Sequence, residues 1–525
     1  MKQFIAKHLS DIRGVLSGLD RVRFRGTYRM ISTCRGLMNY FWQRRVLLKE
    51  FGEFARSQTE ALRRDAAAVV TDAGRPLLYV NRPGADKEAI VREIARRDRI
   101  EVGLVCGIKC LEMGMGFDIR KDAERKELRL VCVPRNGLHM YHYVMHPLVG
   151  LVSVRMQTWL PMTVFVCLNG RRWLARQMDE AGIEYVQRAN TFVAVDDVER
   201  AQALLSGQLR TNWRRLLDPI VADFAPTWRL PQFNGADMER YWSVDEREWA
   251  TDVMFRSPAR LRELYPKLTL AAMTAMGCHD VMRFLGRLDP AQPRHAGALR
   301  RFQGEVVCDL RSRPEGVRVK HRRNRNSVKM YDKEGSVLRV ETTINDPRDM
   351  KVFRRPTGRP EAPPRWLRMS KGTLDIARGA DISQRCNERY LDHLASADTA
   401  KTLAEIAARL GKPASLNGRR VRAMNPMEAG DARLLETVAR GEFTINGFRN
   451  RDVRIALDGP DPDDPKEARR RAAAVSRKIV MLRAHGLVRR VPGTTRYMLT
   501  AEGRRVTTAI LLARNASIDK LSRAA

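Results

Sequence analysis

The spacing of apolar residues predicts an alternation of strands and helices over the first 215 positions. In MNYFWQRRVLLKEFGEFARSQTEALRR, Phe41, Val46, Leu47, Phe51 and Phe54 recur at helical intervals, and DKEAIVREIARRD reads as a further helix. PLLYVN, GLVCGIKC, GFDIRKD and ELRLVCVPR read as strands separated by polar turns, and LVSVRMQTW and TVFVCL follow. Asn169-Gly170 opens the helix RRWLARQMDEAGI, and EYVQRANTFVAV is a strand or hairpin. DDVERAQALLSGQLRTNWRRLLDPI predicts one long helix capped by Asp196 or Asp197. The mixture predicts a multidomain α+β protein, ferredoxin-like in part.

Past position 216, APTWRLPQFNGADMERYWS is aromatic and loop-rich, EWATDVMF alternates like a strand, and SPARLRELYPKL and DVMRFLGRL have helical spacing. Period two then takes over in GEVVCDLRSR, GVRVKHRRN, SVKMYDK and VLRVETTIN. These predict an antiparallel meander turning at Pro314-Glu315-Gly316, at Asn324 to Asn326 and at Glu334-Gly335. RPTGRPEAPPRW, residues 355–366, reads as a Pro-rich linker, residues 367–412 as helical, and PASLNGRRVRAMNP as a connector. The expected division is 1–215, 216–356, 357–430 and 431–525.

The last segment carries the clearest local order. Asp431 is expected to cap DARLLETVAR, Phe443 to Ile445 to be extended, and RNRDVRIAL and KEARRRAAAVSRKIVMLRAHG to be helices, the second ending at Gly486. LVRRV and RYMLT form a hairpin, and Thr500 caps a final helix. This order resembles the winged helix-turn-helix superfamily, which implies a helix in the major groove of duplex DNA. Arg470, Arg477 and Lys478 would lie on that helix away from Val475, Ile479 and Leu482, and Arg489, Arg490 and Arg496 on the wing.

Charge narrows the class. The chain has 96 Lys and Arg against 61 Asp and Glu, a net charge of +35. Such a surplus repels itself unless a polyanion screens it, which points to nucleic acid: duplex DNA first, structured RNA as the alternative. No apolar run is long enough to cross a membrane, and the charged first residues predict no secretory signal, so no membrane partner and a cytoplasmic location are expected. Most of the eight cysteines lie in apolar runs, as reduced core thiols do. Cys106 and Cys110, with His139, His142 and His146 nearby, offer a weak zinc pattern.

The chemistry-bearing segment is SVKMYDKEGSVLRVETTIND. Lys329, Tyr331 and Lys333 share one strand face, and Arg339, Glu341 and Thr343 another. If the faces coincide, a phenol, a carboxylate and cations converge, which is the inventory for opening a phosphodiester. Tyr331-Asp332-Lys333, a short turn and Leu338-Arg339-Val340-Glu341 resemble a segment of phage and plasmid rolling-circle replication initiators. The resemblance implies a strand-nicking tyrosine, Tyr331, assisted by Lys333 and Arg339, and Mg²⁺ or Mn²⁺ held by Glu341. That family's His-hydrophobic-His pair has no counterpart, because His139 and His142 are wrongly spaced, so a further acid is expected, Asp252 or Asp309. Glu246, Glu248 and Asp252 also form an acidic patch of even spacing. Arg318, Lys320, Arg322, Arg323 and Arg325 of the basic strand would track phosphates. The function expected is a DNA-acting protein of a mobile or plasmid-like element, a nickase or replication initiator; the alternative is a non-enzymatic DNA- or RNA-binding protein.

Overall fold

Residues 12–28, a segment to which the apolar spacing assigned no element, form the strand at the middle of the molecule. β1 (Ile12–Tyr28) pairs with β6 (Val164–Asn169) on one side and β9 (Arg240–Phe255) on the other. The computed structural model describes all residues except 83, 123, 125, 226–239, 286–305, 314–315, 357, 360, 398–402 and 516–525. Most of the aromatic loop at 226–243 and the turn at Pro314 therefore lie outside the described residues.

From β1 the sheet grows both ways. Beyond β6 come β5 (Gly150–Gln157), β4 (Glu127–His146), β3 (Gly103–Asp122) and β2 (Leu77–Tyr79). Beyond β9 come β13 (Val337–Ile344), β12 (Asn326–Lys333), β11 (Gly316–Arg323) and β10 (Val306–Arg313). All eleven strands pair antiparallel except β2 with β3. The sheet thus runs without a break across position 215, and residues 1–215 and 216–356 share it. β3 and β4 are each continuous over 20 residues, where the sequence predicted separate strands. Gly114, Gly116 and Gly137 make no turn there; they leave room for the ring of Trp159, which lies within 3.0 Å of where their Cβ atoms would be.

Opposed residues of an antiparallel pair share a face, so the register sorts the sheet into two sides. One side of β9, β13 and β12 carries Val253, Phe255, Leu338, Val340 and Met330, packed with Leu391 and Leu394 of the helix Ile376–Ala397. Asn387 of that helix donates to the carbonyls of Trp249 and Val340. The other side carries Leu16, Met254 and Val337 against the helices Gly170–Ala181 and Val198–Gly207. Gly18 permits the second contact: a Cβ there would fall 2.2 Å from Cγ of Leu205. Asn169 and Asp197 cap these helices, as expected. The single long helix predicted for 196–220 is two, because Asn212 caps a new one, Trp213–Phe224. Between the first two helices, β7 (Tyr185–Arg188) and β8 (Thr191–Val195) form a hairpin over the same side.

The Pro-rich segment is no linker between domains. It is the loop of a ribbon, β14 (Lys351–Arg354) with β15 (Arg365–Arg368), after which the chain returns to β9, where the Val244 amide donates to the Lys371 carbonyl at 2.7 Å. The amino terminus closes on the helix Ile376–Ala397 through the Glu388 carbonyl and Asp392.

A separate core spans Ile406 to Ile510. It contains a hairpin at Ala414–Leu416 and Arg419–Val421, inside the expected connector, then helices Ala429–Val438, Gly441–Asn446, Asn450–Asp458 and Pro465–Ala484, a hairpin at Val488–Arg490 and Tyr497–Leu499, and the helix Ala501–Asn515. Glu428 caps the first of these helices; Asp431 lies inside it and accepts from Arg422 and the Asn425 amide. Residues 443–445 are helical, not extended. Gly486 has φ +72°, and the Thr500 hydroxyl caps the last helix, as expected. That helix ties the unit to the sheet body, with Arg504 3.3 Å from Asp280.

Candidate active site

The β12–β13 turn brings the two predicted faces together. Glu334 and Gly335 both have positive φ, 56° and 67°, in a three-residue turn, residues 334–336, between the paired Lys333 and Val337. The register it fixes sets Tyr331 opposite Arg339 and Lys329 opposite Glu341. The Tyr331 hydroxyl donates to Glu341 Oε2 at 2.6 Å, and Lys329 Nζ lies 2.6 Å from Glu341 Oε1 and 3.1 Å from Glu248 Oε1 on β9. Lys333 is on the same face one pleat further along.

The third carboxylate comes from β1 by way of a bulge. Pairing with β9 passes from Leu19–Trp249 directly to Arg21–Glu248, so Asp20 is the extra residue. A bulge re-aims a side chain, and Asp20, only 5% exposed, meets the Arg339 guanidinium at 3.0 Å and Asn190 Nδ2 at 2.8 Å. Asn190 belongs to the β7–β8 turn, and its carbonyl also accepts from Arg339.

Asp20, Glu248 and Glu341 each offer an oxygen within 4.8 Å of the others, the only such group of metal-ligand type among the described residues. Three hard oxygen donors suit Mg²⁺ or Mn²⁺ chemically. Burial, with the neighbouring charge of Glu341 second, pushes Glu248 up to about 7. Burial would raise Glu341 as well, but Lys329 and the Tyr331 hydroxyl hold it down to about 2. Burial, with the Glu341 charge second, keeps the Tyr331 phenol protonated well above its ordinary range.

Two expected roles change. Asp252, expected as a metal ligand, is buried between two guanidiniums: Arg339 at 2.5 and 2.8 Å and Arg171 at 3.0 Å. Asp20 and Glu248 take its place beside Glu341. Arg339, expected to touch the reacting phosphate, is fully buried and saturated by Asp20 and Asp252, so it positions those carboxylates. Asp309 pairs with Arg311 at 3.1 Å, away from the group. Asp20, Arg171 and Asn190 escaped the sequence reading. Arg23 and Arg21 pair with Asp245 and Glu246 at the margin, which accounts for the rest of the acidic patch.

The same sheet face continues as a cationic strip. Arg318 stands opposite Tyr331, Lys320 opposite Lys329 and Arg322 opposite Ser327, and Arg311 of β10 opposite Arg318. Arg325 is exposed in the β11–β12 turn. Arg323 does not belong to the strip: it is 2% exposed, on the core side of β11 with the buried His321 and Val319. In the C-terminal unit, Val475, Ile479 and Leu482 are buried and Arg470 and Arg477 exposed, with Lys478 half-buried. Arg470 pairs with Glu467 at 2.7 Å. Arg489 is exposed, and Arg490 and Arg496 line a cleft of about 430 Å³ with Arg449.

The zinc pattern does not assemble. Cys106 and Cys110 pack with Tyr141 and Tyr143, whereas His142 bonds the carbonyls of Phe224 and Ala66 in the opposite layer. Among the described residues no helix is long and apolar enough to cross a membrane. Comparison with protein-family models, curated proteins and solved structures finds no match.

Proposed function

We propose that this chain is a DNA-acting protein that nicks one strand through Tyr331, in the manner of a replication initiator of a mobile or plasmid-like element. The observation that carries the reading is the Tyr331 hydroxyl 2.6 Å from a carboxylate that belongs to a three-carboxylate group, at the head of a cationic strip. A tyrosine beside a proton acceptor is a nucleophile in waiting, and three oxygen donors beside it suit a divalent cation.

In this reading Glu341 Oε2 orients the Tyr331 phenol, whose proton passes to solvent water as its oxygen attacks phosphorus. The Tyr331 Oη–P bond forms and the P–O bond to the leaving nucleotide breaks. The leaving oxygen takes a proton from water or from Lys333. Mg²⁺ or Mn²⁺ held by Asp20, Glu248 and Glu341 would draw charge from the phosphoryl oxygens. Lys329 holds Glu341 and Glu248 apart from one another's charge, and Arg318 and Lys320 hold the incoming backbone.

The C-terminal unit would find the site. Its helices, hairpin and closing helix resemble the winged-helix order with one further short helix, Gly441–Asn446, among the four that precede the hairpin; Arg477 lies on the exposed face of the long helix and Arg489 and Arg490 on the hairpin. One observation favours the alternative, a binder without catalysis: Lys329, Arg339 and Arg171 already pair with every carboxylate of the cluster, Glu248 included. An RNA partner meets the same phosphate chemistry.

The test uses supercoiled plasmid carrying the chain's native locus with Mg²⁺ or Mn²⁺. Relaxation and a covalent protein–DNA adduct are expected, both lost in Tyr331→Phe. Relaxation undiminished in Tyr331→Phe would assign the chemistry to other residues; nucleic-acid binding with no scission in any metal supports the plain binder.

A further inference from the structure

We propose that the β14–β15 ribbon is a stacking platform for the unpaired bases of a single nucleic-acid strand; this rests on the nucleic-acid reading above. Its outward face is unusual for a two-stranded element. Phe353 stands directly opposite Trp366, and Lys351 opposite Arg368. Phe353 is 58% and Trp366 67% exposed, with ring centroids 5.7 Å apart. Two large rings left side by side in water bring no return inside the fold. The inward residue Val352 is buried, so the ribbon's position is fixed while its aromatic face stays free.

The surroundings say what covers that face. Between the ribbon and the helix Ile376–Ala397 runs a groove of about 350 Å³, walled by Arg378, Arg385 and Arg389 with Asp381 as its acid. Arg378 pairs with Asp375, just before the helix, and Arg385 with Asp381 on it, yet they keep 45% and 64% of their side chains exposed. With Lys351, Arg365 and Arg368, cations far outnumber acids around two bare rings. An acidic protein partner could answer the charge, but flat rings flanked by alternating cations match the repeat of bases and phosphates more closely. A duplex cannot use the platform, because pairing and stacking hide the faces of its bases.

The ribbon packs through Met350 and Val352 on the face of the sheet that the helix Ile376–Ala397 covers, the face opposite Tyr331 and Glu341, so its rings are a surface separate from the carboxylate group.

The experiment measures fluorescence anisotropy of labelled oligothymidine and of a labelled duplex, each with the full chain at low ionic strength. Phe353→Ala/Trp366→Ala is expected to bind oligothymidine at least roughly tenfold more weakly, from the worth of one to two lost base stacks, and to bind duplex within about twofold of the parent. Trp366→Phe keeps a ring and should retain most of the affinity. Oligothymidine affinity unchanged in the double variant, or lost equally on duplex, overturns the platform while leaving the nucleic-acid reading intact. A parent protein that binds neither probe overturns both.

Discussion

Asp20 and Arg339 meet at 3.0 Å although a whole strand separates theirs: Asp20 is on β1, Arg339 on β13, and β9 runs between them. The guanidinium bridges that strand by also taking both oxygens of Asp252. One buried cation on β13 therefore fixes the carboxylates of the two neighbouring strands, Asp252 on β9 and Asp20 on β1.

Removing that cation leaves Asp20 buried without its counter-ion and Asp252 with Arg171 alone. Arg339→Met should cost about 3–5 kcal/mol in urea unfolding, the usual penalty for breaking a buried pair from one side. Asp252→Asn combined with Arg339→Met should cost clearly less than the sum of the single changes, because the two groups act as one unit. Additive losses would mean that the pair is not coupled.

Divalent cation should stabilise the folded chain through the carboxylate group. At a concentration a hundredfold above Kd, Mn²⁺ adds about 2.7 kcal/mol to unfolding stability, read as a rise in Tm. Glu248→Gln removes one donor but leaves Lys329 paired with Glu341, so its rise should vanish while its metal-free Tm stays close to the parent's. An equal rise in Glu248→Gln would place the cation elsewhere.

The β12–β13 hairpin was legible in the sequence because period two sorts the faces of each strand and Glu334-Gly335 marks the turn; the register that sets Tyr331 opposite Arg339 needs Ser336 as a third turn residue, and register decides which side chains meet. Asp20 was not legible. A bulge is a pairing event between distant segments, and nothing local to Gly18-Leu19-Asp20-Arg21 announces it. The strand β1 itself was within reach: Val22 and Phe24 alternate with Arg21, Arg23 and Arg25, the period of a strand. The same blindness to distant partners made Asp252 look free, although Arg171 and Arg339 claim it. Pro-rich composition at 355–366 signalled a loop correctly and a domain boundary wrongly, since the return of Lys371 to β9 depends on tertiary pairing.

Acid should weaken the fold at the far end of the sheet. Burial would raise Glu112, but Lys87 and the Tyr141 hydroxyl hold it down to about 2. Burial, then the charge of Arg155, lowers His139 to about 4. Both folded values lie below the ordinary ones of 4.5 and 6.5, so the unfolded chain binds protons first. Each contribution is complete above the ordinary value and is lost as pH falls toward the folded one. Stability should therefore fall from pH 6.5 to 4 through His139, and from 4.5 toward 2 through Glu112 by on the order of 2–3 kcal/mol. Glu112→Gln should flatten the lower limb of the curve, measured by urea unfolding across pH; an unchanged limb would remove Glu112 from the account.

Contacts between the cationic strip and phosphates predict a salt dependence that can be dissected. For duplex DNA each lost phosphate contact lowers the slope of log affinity against log salt by about 0.9. Arg318→Ala and Lys320→Ala, on the strip, should each lower it by roughly that amount without altering sequence preference. Arg323→Ala, on the buried side of the same strand, should leave the slope unchanged and lower stability instead. A slope that drops for Arg323 and not for Lys320 would put the nucleic acid on the wrong face of the sheet.

The helix that covers the site depends on a missing side chain. With the Gly18 Cβ position 2.2 Å from Leu205 Cγ, Gly18→Ala must push the helix Val198–Gly207 off β1. Overpacking of this kind costs about 1–3 kcal/mol. The displacement reaches the site through Gln202, which bonds the Ser17 amide at 2.7 Å and carbonyl at 2.9 Å and so ties the helix to the strand that bulges at Asp20. Trimming the obstacle separates steric from conformational cost: Gly18→Ala/Leu205→Ala should be more stable than the sum of the two single losses, because the new methyl fills part of the space that Leu205 leaves. Additive losses in unfolding experiments would mean that Gly18 is needed for its backbone freedom, not for the approach of Leu205.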